Sequence, residues 1–298
     1  IPVTLNNSMP SLERLLTPPG QIRGVVSISN WSGRLGNNIH QLAQAHLLAE
    51  KCNDCTVCYP DHPYLLTNPL DDYIRYLKKW NFRPFLYAND YFFSRDVFEK
   101  RYFDITENEI RRICVNKIIN LVDIPEYKVP EDVLVFHIRT GDIFEENNSH
   151  HGFLQPPLAF YTSIIEQESV KDISKVWVVT SNEKPKNPVI DKLEQMGCQI
   201  FTENIGWAIA ILTNAKVAAV SRSSFSKFAF YLSEKIERLY FPDYFFEEDH
   251  IHELTDINTC KVNLPNYIRQ GTWKASKSQL QTMIEYDPQK ITIDQFVS

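Results

Sequence analysis

An apolar run that ends in His137 and Arg139 is the first feature of this sequence able to do chemistry. In VLVFHIRTGD the two side chains are two residues apart, so on a β-strand they share one face. A guanidinium at the end of a buried strand needs an anionic partner, and its planar fork matches a phosphate through two hydrogen bonds. An ion pair between Arg139 and Asp142 that closes the turn explains the same residues equally well.

A serine-rich segment, SRSSFSKFAFYLS, is a second candidate for anion binding. Ser223, Ser224 and Ser226 stand at the start of a predicted helix that follows a predicted strand. Hydroxyls and the free backbone N–H groups of a first helical turn can together bind a phosphate. The alternative is an ordinary serine N-cap, which is the commoner use of serine at this position.

A glycine-bearing loop, WSGRLGNN, precedes a predicted helix near the start of the chain. Only nine glycines occur in 298 residues, and glycine is favoured where the backbone turns with positive φ or approaches a ligand closely. Gly33 and Gly36 therefore predict N–H groups that face an anionic or hydroxylated ligand. The spacing matches neither a dinucleotide fingerprint nor a P-loop, and a turn with Asn37 or Asn38 as helix N-cap is the alternative.

Taken in order, the three segments resemble the peptide motifs shared by α1,2-, α1,6- and protein O-fucosyltransferases. GRLGNN followed by HQLAQA, then HIRTGD, then SSFS followed by AFYLS carry the resemblance, which spans about residues 24 to 240. It implies an α/β fold of the GT-B type, with two Rossmann-like lobes and a cleft between them. It also implies an inverting, metal-independent glycosyltransferase that transfers fucose from GDP-fucose to a hydroxyl of a glycan or glycoconjugate.

The resemblance also implies roles for residues of all three segments. Arg139 would bind the β-phosphate and stabilise the departing GDP, and His137 would contact the nucleotide. The phosphate site would be completed at the helix start by Ser223, Ser224, Phe225 and Ser226. The first-lobe wall of the cleft, near the fucose and the acceptor, would be formed by Gly33, Arg34, Gly36 and Asn37. Asn37 is in addition a catalytic candidate.

The predicted strand end VVTSN departs from the family pattern. Relatives often have an acidic residue there that contacts the nucleoside, whereas this chain has Ser181 and Asn182 as its donor-binding candidates. The departure leaves base specificity open, so another nucleotide-sugar donor on the same scaffold is an alternative. A non-catalytic module that binds a glycan or a nucleotide is an alternative from a different functional class.

The general base that would deprotonate the acceptor hydroxyl is not assigned by any motif. Carboxylates and imidazoles follow the arginine strand closely, and the candidates are Asp142, Glu145, Glu146, His150 and His151. Asp142 is the preferred candidate, although closure of the turn onto Arg139 explains it equally well. No D-x-D sequence occurs, so the carboxylate pair that often holds a metal ion in other glycosyltransferases is not expected.

The six cysteines include the run CNDCTVC, whose C-x2-C-x2-C spacing is compatible with a metal or cluster site. No second cysteine pair follows at zinc-site spacing, which makes this the weaker interpretation. We expect instead that Cys52 ends a helix and that Cys58 enters a buried strand, because free cysteine behaves as a small apolar residue. A disulfide stays open, as does glycosylation at the sequons of Asn6, Asn30 and Asn147.

The elements that must position these residues follow from the hydrophobic pattern. Residues 24–58 read as strand, glycine loop, helix and strand, which is typical of a parallel sheet with covering helices. From VLVFHIR to RLYFP, strands and helices alternate, and the apolar runs are those of strands buried on both faces. Sheets of this doubly wound type bind ligands beyond the carboxyl ends of their strands.

Three segments of the chain are expected from this alternation. Residues 1–20 form an extended lead-in, 21–125 an N-terminal acceptor-side α/β lobe, and 126–298 a C-terminal, nucleotide-sugar-binding Rossmann-like lobe. A helix is expected over about 106–122. The tail from residue 246 is expected to be irregular up to a final helix over about 276–286.

The resemblance implies a nucleotide-sugar donor and a glycan acceptor as partners, and composition argues against two other classes of partner. The chain has 31 basic and 37 acidic residues, and it lacks a basic run able to follow a nucleic-acid backbone, so nucleic acid is not expected. No apolar stretch approaches the ~20 residues that cross a bilayer, so a soluble chain is expected. A start at Ile1 suggests an excised or processed piece of a larger protein. The cytoplasm is the favoured compartment, with the Golgi lumen as the alternative if an anchor has been removed.

Overall fold

A computed structural model describes residues 25–28, 30–52, 55–66, 86–87, 95–146, 151–202, 204–244 and 250–296. These residues form a mixed α/β structure that divides into two compact units. The first unit comprises the described residues up to Ile105 together with Arg112–Val122, and the second comprises Thr106–Arg111 and the described residues from Asp123 onward. The expected lead-in lies outside the described residues. The acceptor and donor roles of the two lobes, and the cleft between them, stay predictions.

The strands are β1 Val25–Ser27, β2 Thr56–Cys58, β3 Leu86–Tyr87, β4 Val133–His137, β5 Lys175–Val179, β6 Gln199–Phe201, β7 Val217–Ala219, β8 Arg238–Pro242, β9 Asn258–Asn263 and β10 Thr292–Phe296. The α-helices are α1 Leu35–Lys51, α2 Arg95–Arg101, α3 Glu107–Ile113, α4 Leu158–Ser169, α5 Pro188–Gln195, α6 Ile205–Thr213, α7 Ser224–Tyr231 and α8 Lys277–Glu285. None of these helices is long and apolar enough to cross a bilayer.

The first unit contains a parallel sheet in the order β2-β1-β3. Helix α1 connects β1 to β2 and ends at Cys52, whose N–H donates to Leu48 O and Ala49 O. Cys58 is buried at the end of β2, so the structural interpretation of these two cysteines is confirmed. None of the six cysteines, all of which lie within the described residues, forms a disulfide.

The second unit contains a seven-stranded sheet in the order β10-β9-β8-β7-β4-β5-β6. Strands β4 to β9 run parallel, and β10 pairs antiparallel with β9. Numbered along the chain, the parallel strands are therefore arranged 3-2-1-4-5-6, which is the Rossmann order. β4 and β7 are buried along their whole length, as the unbroken apolar runs predict.

The core of the second unit packs around β4 and supports the segment that follows it. Phe136 lies edge-on to Tyr161 of α4, with 5.0 Å between the ring centroids. Trp273 is fully buried, and its Nε1 donates to the carbonyl of Ile143 at 2.7 Å. The turn just beyond Arg139 is thereby fixed by a hydrogen bond to the core.

Two elements differ from the sequence prediction. The helix expected over about 106–122 is an α-helix only in α3, and it continues as a π-helical turn over Cys114–Ile118 and a 3-10 turn over Ile119–Leu121. The segment expected to be irregular, from residue 246 to the final helix, contains β9, and β10 follows that helix; both strands extend the sheet on one side. The polar residues of NTCKVN and TIDQF interrupt the apolar runs that reveal the other strands. The final helix is confirmed as α8.

Candidate functional site

The switch point of the second sheet lies between β4 and β7. The chain adds β5 and β6 on one side of β4 and then returns to place β7 and β8 on the other side. The loops that leave the carboxyl ends of β4 and β7 therefore diverge, and a crevice opens where they part. His137 is the last residue of β4, and the serine segment follows β7. The HIRTGD segment and the serine-rich segment, both of which the sequence singled out, thus meet at one edge of this sheet.

His137 is a buried, neutral imidazole at this edge. Its ring centroid lies 5.3 Å from that of Phe225 on α7, and the residue is 8% exposed. Burial, followed by the charge of Arg139, lowers the pKa of His137 from 6.5 to about 3. Its Nδ1 has no hydrogen-bond partner among the described residues. Leaving such an atom unpaired is costly, so a ligand that supplies the missing partner would be stabilised here.

Arg139 lies two residues beyond His137, with its side chain only 13% exposed. The guanidinium donates from Nη2 to both carboxylate oxygens of Asp142, at 3.0 and 3.2 Å. It also stacks over the ring of Phe153, at 4.4 Å from the centroid. The local ion pair is therefore present, and the role of Arg139 toward a phosphate stays a prediction.

The TGD turn that follows Arg139 has a backbone that only glycine tolerates easily. Gly141 has φ 84° and ψ -138°, and a Cβ atom there would lie 2.4 Å from Oε2 of Glu183. Its N–H donates to Pro185 O at 2.9 Å, and Thr140 Oγ1 donates to the same carbonyl at 2.8 Å. The turn is thus tied to the loop that follows β5.

The start of α7 presents serine hydroxyls with different surroundings. Ser223 is the N-cap, but its side chain makes no capping hydrogen bond, and Ser224 is exposed. Ser226 is fully buried, and its hydroxyl donates to the carbonyl of Ser223 at 3.2 Å. Ser223 therefore stands at the predicted N-cap position but lacks the side-chain hydrogen bond of an ordinary serine N-cap. The hydroxyl of Ser226 is used within the loop, so Ser223 and Ser224 are the better candidates to contact a phosphate.

Buried polar atoms without partners gather at the same edge of the sheet. Thr180 directly follows β5, and Ser221 lies two residues beyond β7. The hydroxyls of both residues, together with Oε1 of Gln155, have no hydrogen-bond partner among the described residues. The Nε2 of Gln155 donates to the carbonyl of Arg222 at 3.3 Å, which places its amide beside the serine segment. Sequence reasoning missed these three residues, although Thr180 and Ser221 are the first hydroxyls after two buried strands.

A cavity of about 270 Å³ lies at the carboxyl ends of β5 and β6. Thr180, Ser181 and Asn182 line it from β5, and Ile200 and Thr202 from β6. Ser181 and Asn182 are exposed. The cavity adjoins the switch-point edge, so the structure brings both residues to the strand end where their donor-binding role was predicted, while the role itself stays a prediction.

The remaining base candidates differ in their availability. Glu146 is exposed and Glu145 is half-buried at the end of the turn after Asp142. His151 uses its Nδ1 in a hydrogen bond with Trp273 O at 2.8 Å. His150 lies outside the described residues. Asp142 therefore stays the preferred base because its side chain is 63% exposed beside Arg139.

The first-lobe candidates are described within their own unit. Gly33 has φ 73°, as its glycine predicts. Arg34 is the N-cap of α1 and makes no side-chain capping bond, so the alternative of Asn37 or Asn38 as N-cap is wrong. Gly36 and Asn37 lie in the first helical turn. A site shared with the second unit stays a prediction for the four candidates Gly33, Arg34, Gly36 and Asn37.

Asn38 holds the glycine loop in place by hydrogen bonds. Its Nδ2 donates to Ser32 O at 3.0 Å, and its Oδ1 lies 3.2 Å from His62 Nε2. The loop is therefore cross-linked to the segment after β2. Asn30, at the exposed end of this loop, is the one sequon asparagine within the described residues.

Comparison with known proteins gives two distant structural likenesses. No protein-family model and no curated protein matches the chain. A solved structure of POFUT1 in complex with GDP-fucose has a TM-score of 0.39 and 9% sequence identity, covering 75% of this chain and 98% of that chain. A mutant of FUT1 from Arabidopsis thaliana in complex with GDP has a TM-score of 0.39 and 12% identity, covering 85% of this chain and 73% of that chain. At so low a TM-score, neither likeness carries an argument about this site.

Proposed function

We propose that the chain is an inverting, metal-independent glycosyltransferase that transfers fucose from GDP-fucose to a hydroxyl of a glycan or glycoconjugate. The observation that carries the proposal is the buried His137, whose Nδ1 lacks a partner beside Arg139 and the start of α7. This combination stands at the switch point of a sheet with the Rossmann strand order, where such sheets bind nucleotides. The identity of the sugar and of the base rests on the motif resemblance.

The geometry supports binding of the diphosphate by both Arg139 and the start of α7. The leaving group of the reaction is a diphosphate that gains charge as the glycosidic bond breaks. A guanidinium fork together with the unpaired N–H groups of a helix start can stabilise this charge without a metal ion. The neutral imidazole of His137 can donate or accept one hydrogen bond from the nucleotide.

Asp142 can serve as the general base once the donor is bound. Its carboxylate shares the guanidinium of Arg139 with any diphosphate that binds there. A diphosphate that takes over the fork would release the exposed carboxylate toward the acceptor hydroxyl. Removal of that proton during attack on the anomeric carbon gives a single displacement, and therefore inversion.

The donor is tested by calorimetric titration of the chain with GDP, UDP and ADP. We expect GDP to bind most tightly. Equal affinity for the three nucleotides would refute the choice of GDP-fucose and favour another nucleotide-sugar, the alternative that Ser181 and Asn182 suggest.

The reaction is tested by release of GDP from GDP-fucose, measured in EDTA with a panel of acceptor sugars. We expect release that depends on an acceptor and persists in EDTA. Tight binding of GDP without release for any acceptor would instead identify a non-catalytic binding module.

A further inference from the structure

The connection between β8 and β9 carries two histidines and a glutamate close together. A 3-10 turn spans Ile251–Glu253, with His250 as its N-cap. Nδ1 of His250 lies 2.8 Å from Oε1 of Glu253. One side-chain ligand atom from each of His250, His252 and Glu253 lies within 4.8 Å of the other two. We call these three residues the histidine turn.

The histidine turn is anchored on both sides by the second unit. Ile251 lies between the two histidines and Leu254 directly follows Glu253. Both are buried, so they anchor the turn to the core. Nδ2 of Asn108 donates to Glu253 O at 2.9 Å, and Oδ1 of the same side chain accepts from Thr255 N at 3.0 Å. The backbone that presents the three side chains is therefore fixed.

The arrangement fits a tetrahedral transition-metal ion. Nitrogen and oxygen ligands lie about 2.0–2.2 Å from zinc, so two ligands of a tetrahedral site are about 3.4 Å apart. The His250 and Glu253 atoms lie 2.8 Å apart, about 0.6 Å closer than this separation. The ligand atoms of the three residues lie within 4.8 Å of one another, so His252 needs a shift of about 1.5 Å at most. Changes of side-chain rotamer can supply both adjustments. Two imidazoles and one carboxylate leave the fourth position to water, and the partial exposure of His250 and Glu253 lets an ion enter.

A simple surface ion pair accounts for only part of the cluster. The contact of His250 with Glu253 is an ordinary pair three residues apart, and exposed pairs of this kind contribute little stability. It leaves His252 unexplained, because within the described part of the chain the ring contacts of His252 are with His250 and Phe296, at 6.1 and 6.3 Å between centroids. A shared metal ion would use all three side chains.

The histidine turn lies far along the strands from the switch-point edge. Phe296, which contacts His252, pairs with Thr259, the second residue of β9. Because β4 to β9 are parallel, the start of β9 marks the amino end of the sheet, whereas His137 marks the carboxyl end. A metal at the turn is therefore separate from the proposed donor site.

We propose that His250, His252 and Glu253 bind one divalent transition-metal ion, with zinc as the best fit. Imidazole and carboxylate ligands suit zinc, and the ligands must be deprotonated for binding. All three protein ligands of the ion come from the β8–β9 connection, at the amino end of the sheet. It takes no part in the proposed transfer.

The proposal is tested by calorimetric titration of the full chain with zinc chloride at pH 7.5. We expect one ion per chain in the wild type, and an affinity at least tenfold lower in His252→Ala and in Glu253→Gln. The Glu253→Gln variant keeps an oxygen that can accept from His250 but loses the anionic ligand. We expect it to keep the fold, which a thermal melt checks. His151→Ala is the matched control, and its affinity should equal that of the wild type. Unchanged zinc binding in His252→Ala would overturn the proposal.

The ligand type is tested by cobalt(II) added to the wild type in place of zinc. We expect the visible absorption of tetrahedral cobalt without the near-ultraviolet charge-transfer band that thiolate ligands give. A thiolate band would assign the metal to the cysteines of CNDCTVC and would also overturn the proposal.

Discussion

At the scale of single residues, Arg139 already binds an anion, the carboxylate of Asp142. That carboxylate is 63% exposed, and exposed ion pairs contribute about 0–1 kcal/mol. The guanidinium itself is mostly buried against Phe153, so its side chain is ordered before a ligand arrives. The contact with Asp142 uses Nη2 alone, so a diphosphate that carries more charge and engages two nitrogens of the fork would replace Asp142 at low cost.

Replacement of Arg139 by Lys separates the guanidinium fork from its charge. We expect Arg139→Lys to weaken GDP binding about 10- to 100-fold, because a hydrogen bond to a charged group is worth about 1.5–3 kcal/mol and a point cation cannot keep the bidentate geometry. Calorimetric titration with GDP measures the loss. Arg112→Lys is the matched control, since Arg112 forms an ion pair with Glu50 in the first unit and its replacement should leave GDP affinity unchanged. Affinity within twofold of wild type in Arg139→Lys would contradict the diphosphate role.

The residue scale also shows how far the sequence could predict the site. His137 and Arg139 were identified because they end an apolar run, and strand ends are where such sheets bind ligands. Thr180, Ser221 and Gln155 were missed because a hydroxyl or an amide becomes notable only when burial leaves it without a partner. Burial of this kind depends on which strands are neighbours, and a single sequence does not contain that information.

At the scale of secondary-structure elements, α7 begins without the side-chain cap that its serines predict. An N-cap serine normally accepts from the backbone of the first turn and contributes about 1 kcal/mol. Ser223 makes no such bond, whereas Ser276 at the start of α8 accepts from Gln279 N. The two helix starts thus use the same residue type differently.

A pair of serine substitutions measures this difference. We expect Ser276→Ala to lower the free energy of unfolding by about 1 kcal/mol, and Ser223→Ala to lower it by less than half of that amount. Urea denaturation gives both values. Ser223→Ala should in turn weaken GDP binding about tenfold through the lost hydroxyl, whereas Ser276→Ala should not. The reverse pattern would make Ser223 a structural cap and remove it from the phosphate site.

Strands were predictable where apolar runs are long, and the prediction failed where polar residues interrupt these runs. The strands β4 and β7 read directly from the sequence because both faces of each are covered. β9 and β10 did not, since NTCKVN and TIDQF mix polar and apolar residues at the side of the sheet. The pairing of β9 with β8 comes from the tertiary structure and overrides a weak local pattern.

At the scale of the whole molecule, the buried His137 and the half-buried His46 link stability to pH. Burial is the main cause that lowers the pKa of His46 to about 4 and that of His137 to about 3, from 6.5 in both cases. As pH falls below 6.5, the unfolded chain takes up these protons before the folded chain does. The contribution of the two neutral histidines to the free energy of unfolding is therefore fully present above pH 6.5 and is lost progressively between pH 6.5 and about pH 3.

The loss at pH 5 should be about 2 kcal/mol for each histidine. We expect the melting temperature of the ligand-free chain to fall between pH 7 and pH 5, and His137→Gln to show a smaller fall because glutamine takes up no proton. His46→Gln is the parallel variant in the first unit and should reduce the fall by a similar amount. An identical pH dependence in His137→Gln and wild type would show that His137 is not buried in neutral form.

The order of the strands predicts where a nucleotide protects the backbone from hydrogen exchange. The second unit has cavities at both ends of β5, one of about 270 Å³ beside Thr180 and one of about 320 Å³ beside Ser174 and Gly197. The second cavity is the larger of the two, yet it lies at the amino ends of the strands, away from the switch point. We expect GDP to slow exchange in residues 137–142, 179–183 and 220–227, where the loops after β4, β5 and β7 diverge. Residues 196–199, which line the second cavity, serve as the internal control and should exchange at the same rate with and without GDP. Protection of 196–199 alone would place the nucleotide at the amino ends of the strands. It would exclude Arg139 from nucleotide binding, because Arg139 lies beyond the carboxyl end of β4.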